Sequence, residues 1–226
     1  MVSPRLYHPD LVIDCVEALV AKAGLEALTI RSLTRATGFS NGGIYRTFGS
    51  RGGLVGRMWI RAEGRYLQLL RSQIARANNP FDAVLAAAEA SIHYPRLYPK
   101  SAAVLFTVRR EEILSQPMSK EVGDQLRALG HELSEITSQL AIDLWNRCDA
   151  EALDLVAVCI HDLPKWIALR NMGFAKPIAG EYLRSAVRAV LDVGPPPLAY
   201  ERASQLNESS ALHPSVTGCR QRVSCL

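Results

Sequence analysis

A single glycine, Gly38, separates two short helical patterns, and that junction restricts the chain more than any other feature. From Thr29 to Thr37 the residues Ile30, Leu33 and Thr37 fall on one face, and beyond the glycine Ser40 can cap a helix running through Tyr45 to Phe48. Neither segment is long enough to survive alone in water. The second is weaker still, because Gly42 and Gly43 each cost about 1 kcal/mol relative to alanine in a helix interior. Such a helix must be held from outside. Ile44 and Phe48, one turn apart, supply its buried edge, and Phe39 can brace its entry.

The rest of the chain reads as helical, so the expected class is all-α. Asp10 to Ala23 carries an apolar stripe ended by Gly24, and a long helix is expected from Arg51 to about Arg76. After Asn78-Asn79-Pro80 come Phe81 to Ile92, a turn over HYPRLYP, Lys100 to Arg110, and a long helix from Met118 to about Arg147. Glu151 to Arg170 should be kinked by Pro164, which removes one backbone donor. Ile178 to Leu191 follows. The Ser-, Pro- and Gly-rich residues 195–226 show no period and are expected to form a disordered tail.

Charge gives the first third a distinct character. Between Glu26 and Glu63 there is no acidic residue, but there are six arginines: Arg31, Arg35, Arg46, Arg51, Arg57 and Arg61. Residues 1–65 carry a net charge of +4, whereas residues 66–194 carry −1 and residues 195–226 carry +1. The expected plan is an anion-binding head at 8–65, a larger neutral domain at 66–194, and the tail.

Helix, glycine turn and helix form a helix-turn-helix spanning about 29–48, whose second helix can enter a major groove. Gly42 and Gly43 clear the N-terminus of that helix, where free amides and the dipole favour phosphate. Asn41 and Arg46 are residue types that read base edges or bind phosphate, and Tyr45 can lie on the backbone and donate to phosphate. Arg51 follows Ser50 in the first turn of the next helix, against the positive dipole end, a position that a nearby phosphate would favour.

These residues resemble the DNA-binding domain of the TetR family of transcriptional regulators. The likeness is carried by Leu28-Thr29, Arg31, Leu33, Gly38-Phe39-Ser40, Gly42 to Tyr45, Phe48, Ser50-Arg51 and Leu54. It implies an all-helical homodimer with a C-terminal domain for dimerisation and for a small-molecule effector. It further implies phosphate contacts at Thr29, Ser40, Tyr45 and Arg51, and base-edge contacts at Arg31, Asn41, Gly43 and Arg46. Thr47 stands where the family often has histidine, and Arg51 where it often has lysine. The expected function is a repressor that binds a palindromic double-stranded operator and is released by its effector. The last two helices would supply the dimer interface.

Other signals are weaker. Gly38 to Gly42 fits G-x-S-x-G, but a hydrolase using Ser40 needs a strand before the serine, and helical period precedes it. A helical protein-binding adaptor remains the other alternative. His161-Asp162 is a lone pair without further ligands at metal spacing, so no metal and no cofactor are expected. His93, Tyr94, Phe106, Trp145, His161 and Trp166, with Tyr98, are candidates to line an effector pocket. Arg109-Arg110-Glu111-Glu112 reads as a solvated, partly paired helix face. Cys15, Cys148 and Cys159 read as small core residues, and Cys219 and Cys225 as exposed tail thiols. No apolar run spans a membrane, and a cytoplasmic protein is expected.

Overall fold

A computed structural model describes residues 8–170 and 178–198, and every regular element among them is helical. Helices α1 (Pro9–Ala23), α2 (Ile30–Thr37) and α3 (Asn41–Phe48) form the N-terminal head, with one 3₁₀ turn at Leu25–Ala27. The long α4 (Arg51–Ile74) leads into α5 (Pro80–Leu97), α6 (Pro99–Thr107), the short α7 (Arg110–Leu114) and the long α8 (Lys120–Trp145). Helix α9 (Ala150–Ala157) passes through a π-helical turn, Val158–Asp162, into α10 (Leu163–Arg170), and α11 (Ile178–Val193) ends this unit. The described residues up to Gly194 form one compact unit. The expected disordered tail lies outside the described residues from position 199 onward, as do Cys219 and Cys225.

The caps follow from the sequence. Thr29 and Ser32 form a reciprocal capping box at α2, each side chain accepting from the other's amide at 3.0 Å. Gly38 closes that helix in the left-handed region at φ +75°, where glycine carries no side-chain penalty. Ser40, Ser50, Asn79, Ser119 and Asp149 each cap a later helix. In α3, Ile44 and Phe48 are 1% and 6% exposed. Burying them contributes about 2–3 kcal/mol each, enough to offset roughly 1 kcal/mol for each glycine.

Two apolar cores result. One lies under the head and includes Val16, Leu33, Ile44, Phe48 and Leu54, but Val104, Ile113, Val122 and Leu126 from α6 to α8 complete it. The other fills the space among α4, α5 and α8 to α11. Helix α4 joins them without a break at residue 65, and its small residues permit close approach. A Cβ on Gly52 would stand 2.3 Å from the Pro117 carbonyl oxygen.

Several local expectations are corrected. HYPRLYP does not break the chain after Ile92; α5 continues through Pro95 to Leu97 while Tyr94, fully buried, anchors it by donating to the Ala62 carbonyl at 2.6 Å. The expected helix 100–110 stops at Thr107 and a separate α7 follows. A π-helical turn at Val158–Asp162 lies just ahead of Pro164, the second residue of α10. Cys148 is exposed rather than in the core, whereas Cys159 is buried and Cys15 partly so.

Candidate nucleic-acid interface and effector cavity

The outer face of the helix-turn-helix is polar and open. Thr29, Arg31, Arg35, Ser40, Asn41, Gly42 and Arg46 are exposed, and Tyr45 is 48% exposed. Arg31, Arg35 and Arg46 have no hydrogen-bond or ion-pair partner among the described residues. A Cβ on Gly42 would meet nothing within 4 Å, so folding does not require glycine there; its absence of side chain keeps the start of α3 low. Asn41 Oδ1 accepts from Thr34 Oγ1 at 2.7 Å, which fixes the asparagine at the helix start. Ser40 spends its oxygen on the Gly43 amide at 3.1 Å. Thr47 donates to the Gly43 carbonyl one turn back, at 3.1 Å.

The arginines of α4 behave differently. The Arg51 guanidinium donates to Leu28 O at 3.0 Å, Leu25 O at 2.8 Å and Gln116 Oε1 at 2.9 Å. Carbonyls and an amide thus supply negative partners of the kind that the helix dipole called for, so Arg51 is satisfied here without a phosphate. Beside it, Ser50 donates to Pro117 O at 2.8 Å. Arg61 pairs with Asp14 at 2.8 Å and with buried Glu17 at 2.9 Å, and Ser101 donates to Glu17 at 2.9 Å. Arg57 has Glu121 at 3.9 Å. Acids from α1 and α8 thus neutralise part of the acid-free stretch, which a count along the sequence cannot see.

A cavity of about 350 Å³ opens among α4 to α8 and the π-helical turn. Its walls are largely apolar, with Trp59, Leu105, Phe106, Val108 and Leu133, while Tyr66, Ser91 and His161 bring polar groups. Glu63 lies in the lining, 5% exposed, and accepts from Trp59 Nε1 at 2.9 Å and from Arg110. Burial pushes its carboxyl above the ordinary value, although Arg110 pulls the other way. Burial also drives His161 below the ordinary value, which favours the neutral imidazole. Arg110 donates as well to the Leu126 carbonyl. It is an internal strut between α4 and α8, which corrects its reading as a solvated surface charge.

Residues 13–58 match the family model for bacterial regulatory proteins of the tetR family. The match lies within the head and the start of α4. No curated protein matches the chain in sequence. Among solved structures, it is similar to the ketosteroid transcriptional regulator KstR2 of Mycobacterium tuberculosis, with 16% identity and a TM-score of 0.62 over 87% of this chain and 100% of that one. The fatty acid degradation regulator FadR from Bacillus halodurans gives 14% identity and 0.61 over 84% and 96%. AibR, solved in complex with isovaleryl coenzyme A and operator DNA, gives 11% and 0.62 over 84% and 99%. At these identities the likeness establishes the fold alone.

Within this TetR-type fold the pocket candidates scatter. Phe106 and His161 meet in the cavity. His93 lines a separate cleft with Glu89 and Arg184, and Tyr94 is core, edge-on to Tyr66 with ring centres 5.4 Å apart. Trp145 packs at the edge of the C-terminal core, and Trp166 is 59% exposed. Trp59, Glu63, Tyr66 and Ser91 were not expected in the cavity. The i, i+4 spacing of Trp59 and Glu63 was the one available signal; Ser91 sits in an alanine-rich helix with nothing local to distinguish it. Among the described residues no cluster could hold a metal ion, and no helix is long and apolar enough to cross a membrane. Ser40 follows a helix and not a strand, so the nucleophile-elbow geometry is absent.

Proposed function

We propose that this chain is a DNA-binding transcriptional repressor, acting as a homodimer on a palindromic operator and released by a small molecule. The observation that carries the proposal is the outer face of α2 and α3, where Arg31, Arg35 and Arg46 stand exposed and without partners beside Asn41, Tyr45 and the glycine-cleared helix start. Arg31, Asn41, Gly43 and Arg46 would face base edges, and Thr29, Ser40 and Tyr45 the phosphates. Domain 8–65 would read DNA, and domain 66–194 would bind the effector and the second copy. In the cytoplasm such a protein has direct access to DNA.

Exposed apolar side chains on the last helices suit a partner copy. Trp166, Tyr182 and Ile178 are 59%, 60% and 42% exposed on α10 and α11. Covering them with the same surface of a second chain would bury them and fix the two heads at a set spacing. The apolar cavity suits an effector with a hydrocarbon body, as do the ketosteroid, fatty acid and isovaleryl names attached to the three similar structures. Binding there would shift the balance between head spacings that fit the operator and spacings that do not.

Selection of bound fragments from genomic DNA by the purified protein tests the proposal. The expected product is a two-fold symmetric site with half-sites about one helical turn apart, bound with an affinity that falls steeply with salt. Recovery of no common sequence, with no salt-dependent binding, would favour the protein-binding alternative.

A further inference from the structure

The cavity floor carries hydrogen bonds that run in one direction. Pro164 has no N–H and so offers no donor to the Ile160 carbonyl four residues earlier. Ser91 Oγ, on α5, donates to that carbonyl at 3.2 Å. A serine hydroxyl holds one proton, and a carbonyl oxygen only accepts. With that proton on Ile160, both contacts are made at once only when the phenol proton supplies the 2.9 Å bond between the two hydroxyls. Burial raises the Tyr66 pKa above its ordinary value, so the phenol keeps that proton at neutral pH. The relay runs from Tyr66 to Ser91 to Ile160. At its outer end stands a phenol oxygen whose proton is spent and whose remaining lone pair has no donor among the described residues.

We infer that the inner end of this cavity recognises a hydrogen-bond donor, a neutral hydroxyl on an apolar body, which gives its proton to the Tyr66 oxygen. The inference rests on the reading of the cavity as an effector site. The body is apolar because Trp59, Leu105, Phe106, Val108 and Leu133 face it. The donor is neutral because the charges of the lining balance, Arg109, Arg110 and Lys165 against Glu63, Glu111 and Asp162, and the buried carboxylate, Glu63, already has both oxygens taken by Trp59 and Arg110. An ether or ketone oxygen in the same place would oppose the Tyr66 oxygen with no proton between them. His161, with no hydrogen-bond partner among the described residues, can accept or donate to a second polar group on the same ligand.

Two probes separate these cases: 2-naphthol and 2-methoxynaphthalene, which share a ring system and differ in the proton. Calorimetric titration of the full-length protein should show 2-naphthol binding roughly 3–10-fold more tightly, the share of one net hydrogen bond. Tyr66→Phe should bring 2-naphthol down to the ether's affinity while the ether changes less than about two-fold. Ser91→Ala, which releases the phenol proton, should also narrow the preference and serves as the second variant if Tyr66→Phe fails to fold by circular dichroism. Leu105→Trp, which fills the cavity, should block both probes. If both bind equally and Leu105→Trp blocks both, the donor inference is overturned and the effector cavity stands. If neither binds, or binding survives Leu105→Trp, the cavity reading itself fails.

Discussion

The arginines of α2 and α3 and those of α4 lie in one acid-free stretch, yet the fold sends them to opposite uses. Arg31, Arg35 and Arg46 stand in water on short helices, without partners among the described residues. Arg51 and Arg61, on the long helix, turn inward and meet groups brought from distant positions: Leu25, Leu28 and Gln116 for the first, Asp14 and Glu17 for the second. The difference lies in what each helix packs against. Helix α4 is packed against segments that bring it carboxylates from α1 and α8 and oxygen acceptors from Leu25, Leu28 and Gln116, whereas the residues on the outer face of α3 are exposed. Charge density along a sequence therefore measures a possible surface only where the helix keeps that face uncovered.

The largest expected effect comes from the buried side. Arg61→Ala leaves Glu17, 3% exposed, without its nearest cation. Arg65 at 3.7 Å and Ser101 relieve only part of that loss. Chemical denaturation should show a loss of about 3 kcal/mol. Arg35→Ala should change stability by less than about 0.5 kcal/mol and instead lower the slope of DNA affinity against salt by roughly one phosphate contact. Equal destabilisation by the two changes would erase the distinction between the regions.

The same contrast explains what could be read from the sequence. The helix-turn-helix was legible because its signals are local: the Thr29 and Ser40 caps, the Gly38 stop, and the spacing of Ile44 and Phe48 all act within about two turns. The all-helical class was legible for the same reason. The cavity was not, since Trp59, Ser91, Phe106 and His161 come from four separated segments and no local period links them. Pro164 was recognised as a disruption. Its consequence, a carbonyl served by Ser91 on α5, needed the tertiary structure. Arg51 shows the reverse case: the local argument asked for a negative partner nearby, and distant carbonyls and an amide, invisible along the sequence, supply one.

Arg51→Ala sharpens that point with a smaller effect. Removing three donors from Leu25, Leu28 and Gln116 should cost about 1–2 kcal/mol in unfolding free energy, and the salt slope of DNA binding should stay as in the unaltered protein. Arg51→Lys should not restore stability, because one ammonium cannot span the three acceptors that the planar fork reaches. A slope reduced by about one contact, with stability intact, would return Arg51 to the outward set.

The smallest effect is one of pH, and only the inward region should show it, because exposed arginines do not titrate near neutrality. Burial holds His161 below its ordinary value of 6.5, with Asp162 opposing and Lys165 reinforcing the shift. Its contribution to stability is complete above pH 6.5 and is lost as pH falls below that, since the unfolded chain takes up the proton first. Glu63 acts in the opposite sense. Its raised carboxyl pKa gives stability that is complete below the ordinary value of 4.5 and is lost as pH rises through the folded value. As acid is added, Glu63 therefore offsets part of the loss at His161. Thermal melts between pH 7 and pH 5 should fall less steeply for His161→Gln and more steeply for Glu63→Gln, whereas Arg46→Ala should leave the profile unchanged. If His161→Gln and Arg46→Ala gave the same profile as the unaltered protein, the imidazole would not be held neutral by the cavity wall.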